Sequence, residues 1–314
     1  MSEVGALRAA LTRIEVWSRA VLGRPLRPYQ AEPAAAILSS VVERRGDTIT
    51  VMMSRQAGKN ELSGHLESFL LARHQRRAET IVKAAPTFKP QTVNSMLRLS
   101  TLLDNPITGG RRATEQGYIV RVGLARALFF SAGPDAQVVG ATASLLLEVD
   151  EAQDVAIEKH DKDFAPMAAS TNATRVYWGT AWDETTLLAR QIEANLAAEK
   201  RDGRRRHFAY PWQVVAQYNP QYGRYVEGEK ARLGADHPLY RTQYELLTLA
   251  GETGLFSPAQ RAQLAGSQPR RAAPLEGATY VAGLDVAGGS ERDRSELVGR
   301  ESGSTSDADS TVLL

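Results

Sequence analysis

The stretch DTITVMMSRQAGKNELSGHLESFLLARH, residues 47–74, contains three local signals in succession. Thr48 to Met53 is a short β-branched and apolar run that predicts a strand. A polar turn follows around Gly58. Leu62, Leu66, Phe69 and Leu70 then recur at spacings of three and four, the signature of a helix with one apolar face. Strand, loop and helix in that order form a phosphate cradle when the turn carries a glycine and a lysine. Backbone N–H groups then point at oxyanions, the helix start supplies partial positive charge, and the lysine reaches the outer phosphates. Gly58-Lys59 stands at that turn. Against the common pattern GxxxxGK[ST], Met53 replaces the first glycine and Asn60 replaces the hydroxyl residue that binds Mg²⁺. The same string also reads as a lysine-bearing helix start capped by Asn60.

A second feature strengthens the phosphate reading. Leu145-Leu-Leu-Glu-Val-Asp-Glu-Ala-Gln153 is an apolar strand that ends in adjacent carboxylates. Phosphoryl transfer to water needs one carboxylate near Mg²⁺ and another that orients or deprotonates the attacking water. Asp150 suits the first role and Glu151 the second. Glu148, inside the run, does not suit a strand buried on both faces. Acidic pairs at strand ends are common surface features, but a Gly-Lys turn followed by strand-Asp-Glu points jointly to ATP hydrolysis.

Around these motifs the chain reads as α/β. A helix is expected from Glu3 to Leu22, because Leu7, Leu11, Ile14, Trp17 and Val21 fall on one face; another follows Tyr29 and ends at Gly46. Further strands are expected at Thr80 to Ala84, Tyr118 to Val122, Ala127 to Ser131, Leu145 to Val149 and Arg175 to Trp178. Short strands alternating with helices predict a largely parallel sheet. The 314 residues carry 38 basic against 36 acidic side chains, a net charge of +2 too small by itself to argue a nucleic-acid partner. With no cysteine, disulfides and thiolate-held zinc are excluded, so any metal should be a hard, oxygen-bound one. No apolar run approaches the roughly 18 residues of a membrane span. A cytoplasmic setting is the default.

Four weaker signals complete the pattern. Tyr29 and Gln30 offer a ring and an amide suited to adenine, or a helix-start tyrosine packed on the core. Thr87 and Gln91, after the second strand, suit a phosphate backbone or simply a helix start. Thr180, in Gly179-Thr180-Ala181, suits a sensor of the γ-phosphate or a plain turn. Lys200 to Arg206 is the densest basic run, with Tyr210 and Trp212 beyond it, and suits DNA phosphates or a solvated loop.

The ordered set Tyr29-Gln30, Ser54-Arg55-Gln56-Ala57-Gly58-Lys59-Asn60, Leu146 to Gln153 and Gly179-Thr180-Ala181 resembles the large terminase subunits of tailed bacteriophages, whose phosphate loop is similarly glycine-poor. The resemblance implies a P-loop ATPase fold of the additional-strand type, with a mainly parallel sheet flanked by helices and a small lid. It implies ATP and Mg²⁺ as ligands, with Lys59 on the β and γ phosphates, Asp150 and Asn60 toward Mg²⁺, Glu151 on water, Thr180 in coupling and Arg55 as the loop arginine. Ser54, Gln56, Ala57 and Gly58 would complete the nucleotide loop. Implied partners are double-stranded DNA, a portal protein and a small terminase subunit, with a ring of copies when docked, a monomer in isolation and the host cytoplasm as the setting. The family's arginine donated from a neighbouring copy has no counterpart just before the acidic pair; Arg121 and Arg126 are the substitutes.

The resemblance divides the chain into a core at 1–212, a lid at 213–265, a linker at 266–278 and the start of an RNase H-like nuclease domain at 279–314. Asp285 would be that domain's first metal ligand, and a truncated chain without nuclease activity is the expectation. Two rivals share these motifs: a helicase-like ATPase, and a DNA-binding or assembly module without catalysis.

Overall fold

The computed structural model describes Gly5 and residues 11–138 and 140–249. The expected linker, the strand at Tyr280 to Val286 and Asp285 lie outside the described residues. Among those described, no helix is long and apolar enough to cross a membrane.

The elements in chain order are α1 (Pro28–Glu43), β1 (Thr48–Met53), α2 (Lys59–His74), β2 (Thr80–Ala85), α3 (Val93–Leu102), β3 (Arg112–Glu115), β4 (Ile119–Val122), β5 (Ala125–Ser131), β6 (Leu146–Val149), β7 (Thr174–Gly179), α4 (Leu187–Asp202), β8 (His207–Tyr210), α5 (Trp212–Ala216), α6 (Pro220–Leu233) and α7 (Pro238–Gln243). Eight strands form one sheet in the order β3-β4-β5-β2-β6-β7-β1-β8. The six from β5 to β8 are parallel, and β3–β4 closes one edge as an antiparallel pair. The strand that carries the acidic pair, β6, does not touch β1; β7 lies between them. That inserted strand makes the fold a P-loop ATPase fold of the additional-strand type. The parallel direction also sends the loops after β1, β2, β6 and β7 to one edge, where open α/β sheets hold their ligands.

Two local expectations are corrected. The N-terminal helix is not continuous: Leu11 and Thr12 form a turn, Arg13 is extended (φ −130°, ψ 118°), and a helix begins at Ile14 and widens into a π-turn at Trp17–Val21. Anchors from α2 fix this break. Arg73 donates to the Leu11 carbonyl at 3.0 Å, and the fully buried Trp17 donates its indole N–H to Ser68 at 3.1 Å. Second, β3 and β8 are added strands; in β8 the alternation that buries Phe208 and Tyr210 is only four residues long and follows a basic run that reads as loop. Helices α5 to α7 pack their Trp212, Val215, Tyr222, Val226 and Tyr240 into the same apolar cluster as Tyr29 and Val51.

The central helix α2 is buried on nearly every side, including its polar Ser63, His65, Glu67 and Ser68. Buried polar groups must be partnered. His65 meets Ser18 at 3.0 Å, while Lys83 of β2 donates to Glu67 at 2.9 Å and to Ser63 at 2.7 Å. Glu148 joins them: it accepts from Ser63 and from the Trp178 indole (2.9 Å) and lies 3.7 Å from Lys83. The carboxylate that looked out of place in the sequence is the β6 contribution to a buried ionic cluster. Burial pushes its carboxyl up to about 8 against the pull of Lys83, and raises Glu67 as well. Despite its own burial, Lys83 is held above its ordinary value by Glu67 and Glu148.

Replacing Lys83→Met strips both carboxylates of their cation and should destabilise the fold by about 3–5 kcal/mol in urea unfolding. A raised carboxyl binds its proton more tightly in the folded state, so its contribution is full below the unfolded pKa and is lost as pH rises through about 8. Stability of Glu148→Gln should therefore decline less than wild type between neutral and mildly alkaline pH.

Candidate functional site

The loop after β1 is held from behind. The Tyr29 hydroxyl donates to the Ala57 carbonyl at 2.9 Å, and the Gln30 amide donates to the Gly58 carbonyl at 3.2 Å while accepting from the Arg27 backbone N–H. From the other side Tyr222 donates to the Arg55 carbonyl at 2.6 Å and contacts the Ser54 hydroxyl at 2.9 Å. The Arg55 N–H donates to the Gln243 carbonyl at 2.8 Å. Gly58 sits at φ +93° as the N-cap of α2, a conformation that suits glycine; a Cβ there would fall 2.8 Å from the Gln30 amide nitrogen. The first N–H groups of α2 have no acceptor within the helix and face the loop's open side.

Lys59 extends from the first position of α2 to the end of β6. Its ammonium lies 2.7 Å from the Glu151 carboxylate and 3.9 Å from that of Asp150. Asp150 is buried, whereas Glu151 retains 26% of its side-chain exposure and occupies the left-handed region (φ 46°, ψ 51°), a costly backbone state for a non-glycine residue. Burial acts to raise the Glu151 carboxyl, but Lys59, Gln153 and Arg55 together outweigh it and hold the group below its ordinary value. It is ionised at neutral pH. Gln153 donates to Glu151 at 2.8 Å and accepts from the Thr180 N–H at 3.3 Å, so one amide spans the ends of β6 and β7.

These groups border a cavity of about 740 Å³ lined by Ser54, Arg55, Gln56, Gly58, Lys59, Asn60, Glu151 and Thr180, together with Gln91, Asn94, Arg98, Gln153, Trp182 and Gln243. Tyr29, Gln30, Ala57 and Asp150 are buried and do not line it; the polar groups of Tyr29 and Gln30 bond the loop and Arg27. The fit to Mg²⁺ rests on one atom above all: the amide oxygen Oδ1 of Asn60 is buried and has no hydrogen-bond partner. That orphaned oxygen stands at the position where the common loop has its metal-binding hydroxyl. No cluster of three or more His, Asp or Glu occurs among the described residues, so a divalent ion here would arrive with phosphates to complete its shell.

Other sequence-predicted residues are not gathered here. Arg121 and Arg126 face each other in the β4–β5 register, where β5 begins and so at the opposite edge of the sheet; Arg121 is paired with Glu115 at 2.6 Å. Thr87 is engaged with Gln91 through both its N–H and its hydroxyl. The basic run is largely spent: Arg206 and Arg204 pair with Asp202, and Arg205 pairs with Glu32 while covering the Phe208 ring. Sequence reasoning missed Gln153, which it read only as the end of the acidic strand, and Arg98 and Gln243, whose approach depends on tertiary packing alone.

The inserted strand, the loop and the lysine facing two carboxylates define the class, an additional-strand P-loop ATPase fold. No protein-family model matches the sequence, and no curated protein matches it. Solved structures with a similar fold include the large terminase of HK97 bacteriophage (TM-score 0.60, 16% identity, covering 77% of this chain and 55% of that one). The large terminase of a thermophilic bacteriophage in complex with ADP is similar at TM-score 0.51 and 12% identity, over 72% of this chain and 54% of that one. The isolated ATPase domain of a Thermus phage large terminase gives TM-score 0.51 and 15% identity, over 72% and 94%. The chain thus has the fold of a large-terminase ATPase domain, and its matched part spans about half the length of the whole terminases.

Gly58→Ala forces a side chain into a positive-φ position and against Gln30. It should cost about 1–3 kcal/mol in equilibrium unfolding, whereas Gly228→Ala, which meets nothing within 4 Å, should not destabilise.

Proposed function

We propose that this chain hydrolyses ATP as the motor part of a phage large terminase, driving double-stranded DNA into a procapsid. The observation that carries the proposal is the juxtaposition of Lys59 with Asp150 and Glu151 across the inserted strand. A lone lysine-bearing helix start would have no reason to face two carboxylates from a separate strand.

In this reading the N–H groups at the start of α2 and the Lys59 ammonium receive the β and γ phosphates. Asn60 and Asp150 would hold Mg²⁺, which would neutralise charge on the phosphate oxygens. Because Lys59 is paired with Glu151, an incoming triphosphate competes with that carboxylate for the ammonium. Glu151, released, is free to orient a water and take its proton. Among the described residues, Arg55 and Arg98 are the arginines on the cavity wall; Arg98 is paired with Glu61 at 2.8 Å, which leaves Arg55 for the transferred phosphoryl group. Thr180 senses the outcome through Gln153. Tyr29 and Gln30 brace the loop. Residues 213–265 act as the lid, and the partners are a portal protein, a small terminase subunit and further copies in a ring in the host cytoplasm.

Glu151→Gln should lower ATP turnover by about 100-fold or more while leaving Mg²⁺-ATP affinity within about threefold of wild type. Equal turnover in the two proteins would sink the enzyme reading. Gln30→Ala separates bracing from base recognition. A brace predicts that ATP and GTP affinity fall together by about tenfold, the loss of roughly one buried hydrogen bond, and an altered ATP-to-GTP ratio would restore Gln30 as a reader of the base.

A further inference from the structure

We infer that the edge of the sheet opposite the nucleotide cavity carries a contact surface for the phosphate backbone of a nucleic-acid duplex. It rests on the motor reading only for its purpose, and its geometry is independent of the ATP site.

The 16 residues of α2 run from Lys59 at the cavity to His74, about 24 Å away along the helix. There, where β1, β2 and β6 begin, a groove of about 1070 Å³ opens. Its charged lining comes from three separate parts of the chain: Arg44 after α1, Arg73, Arg76 and Arg77 at the end of α2, and Arg111 before β3. Glu79 is the single carboxylate among the described lining residues. It already accepts from the Ser144 hydroxyl at 2.5 Å and lies 3.7 Å from Arg44. Burial lowers the His74 pKa, so this residue adds no charge at neutral pH.

Basic residues at the end of a helix are favoured by its dipole, and that alone would account for Arg73, Arg76 and Arg77. It does not account for Arg44 and Arg111, which converge on the same groove from other elements. Nor are the arginines consumed as those at 204–206 are. Arg76 and Arg77 make no ion pair among the described residues, Arg111 bonds only the neutral Gln75 amide, and Arg44 keeps 76% of its side-chain exposure. Arg73 donates to the Leu11 carbonyl, which neutralises no charge. Guanidinium groups are suited to phosphate oxygens, and five arginines facing one carboxylate keep a net positive field for an external anion. Of the apolar lining, Val41 and Leu145 are buried and Leu11 and Ile107 half-buried, leaving Val42 and Pro106 exposed, too little for an apolar dock. Phe, Tyr and Trp are absent from the described lining, so unstacked bases find no platform. A duplex backbone therefore fits better than a single strand.

The test is fluorescence anisotropy of the full chain with a labelled duplex of about 20 base pairs, without nucleotide, across roughly 50–200 mM salt. The variant Arg76→Ala/Arg77→Ala/Arg111→Ala should bind at least about tenfold more weakly, with a slope of log affinity against log salt shallower by about 2 to 3. The corresponding triple lysine variant should keep most of the slope, because charge rather than shape sets it. An unchanged thermal midpoint in the alanine variant establishes that its fold is intact. Wild-type affinity and slope in the alanine variant would overturn the assignment. Tighter, equally arginine-dependent binding of a single strand, or of a poly-glutamate peptide, would overturn the choice of a duplex. Binding is read without ATP, so failure of the ATPase proposal and failure of this one are separately visible.

Discussion

Lys83 sits in the middle of the sheet with no route to water, and the cavity end of the molecule is built upon how it is neutralised. Its ammonium joins α2 through Glu67 and Ser63 to β6 through Glu148, and Glu148 joins β7 through the Trp178 indole. Two carboxylates for one lysine is an excess of one negative charge; burial raises both carboxyl groups, and a proton on Glu148 at neutral pH supplies the balance. The cluster fixes four elements, β2, α2, β6 and β7, relative to one another. Glu148 precedes Asp150 by two residues on the same strand, and Ser63 follows Lys59 by one helical turn. Both therefore continue the faces that hold the functional groups.

This cluster also marks where the sequence could and could not be read. The stripe Leu62, Leu66, Phe69 and Leu70 correctly indicated a helix with an apolar face, because that face obeys the 3.6-residue period. It gave no sign that the opposite face is buried too, since Ser63, Glu67 and Ser68 look like solvent positions until Lys83 and Trp17 supply their partners. Glu148 looked misplaced for the same reason. Periodicity registers what one segment does with its own residues, and a buried ion cluster belongs to four segments at once.

The β1, β2, β6 and β7 strands were legible because each is a mainly apolar or β-branched run, as strands covered on both faces tend to be, with Lys83 and Glu148 the interruptions. The short edge strands β3 and β8 were not. Of the site, the residues bearing charge and glycine were legible from type and spacing, and the cavity does gather Arg55, Gly58, Lys59, Asn60, Glu151 and Thr180. Tyr29 and Gln30 were ambiguous, since ring-and-amide chemistry suits a nucleobase and a carbonyl of the protein's own loop equally well. Only the buried contacts to Ala57 and Gly58 distinguish the two. The run at 200–206 was left between DNA contact and a solvated loop, because a count of arginines does not reveal that Asp47, Asp202 and Glu32 pair with those at 204–206.

The pairing of Lys59 with Glu151 has a consequence for how such a site works as a motor. Each residue is the other's partner at 2.7 Å, so neither can take its proposed role on a triphosphate until the pair separates. Glu151 is not held by the lysine alone, however: Gln153 grips its second oxygen and, through its own carbonyl, the backbone of Thr180, whose hydroxyl faces Gln243 at 3.5 Å. Gln243 in turn accepts from the Arg55 N–H of the phosphate loop. The contacts thus run in a ring from the loop to the acidic strand, to the inserted strand, to α7 and back to the loop. A nucleotide that draws Lys59 away from Glu151 changes the charge on one link, and the restoring contacts available to Glu151 lie toward Gln153 and Thr180. Coupling between phosphate binding and the α5–α7 segment then needs no long-range pathway, because the polar groups that would respond are already in mutual contact at the cavity wall.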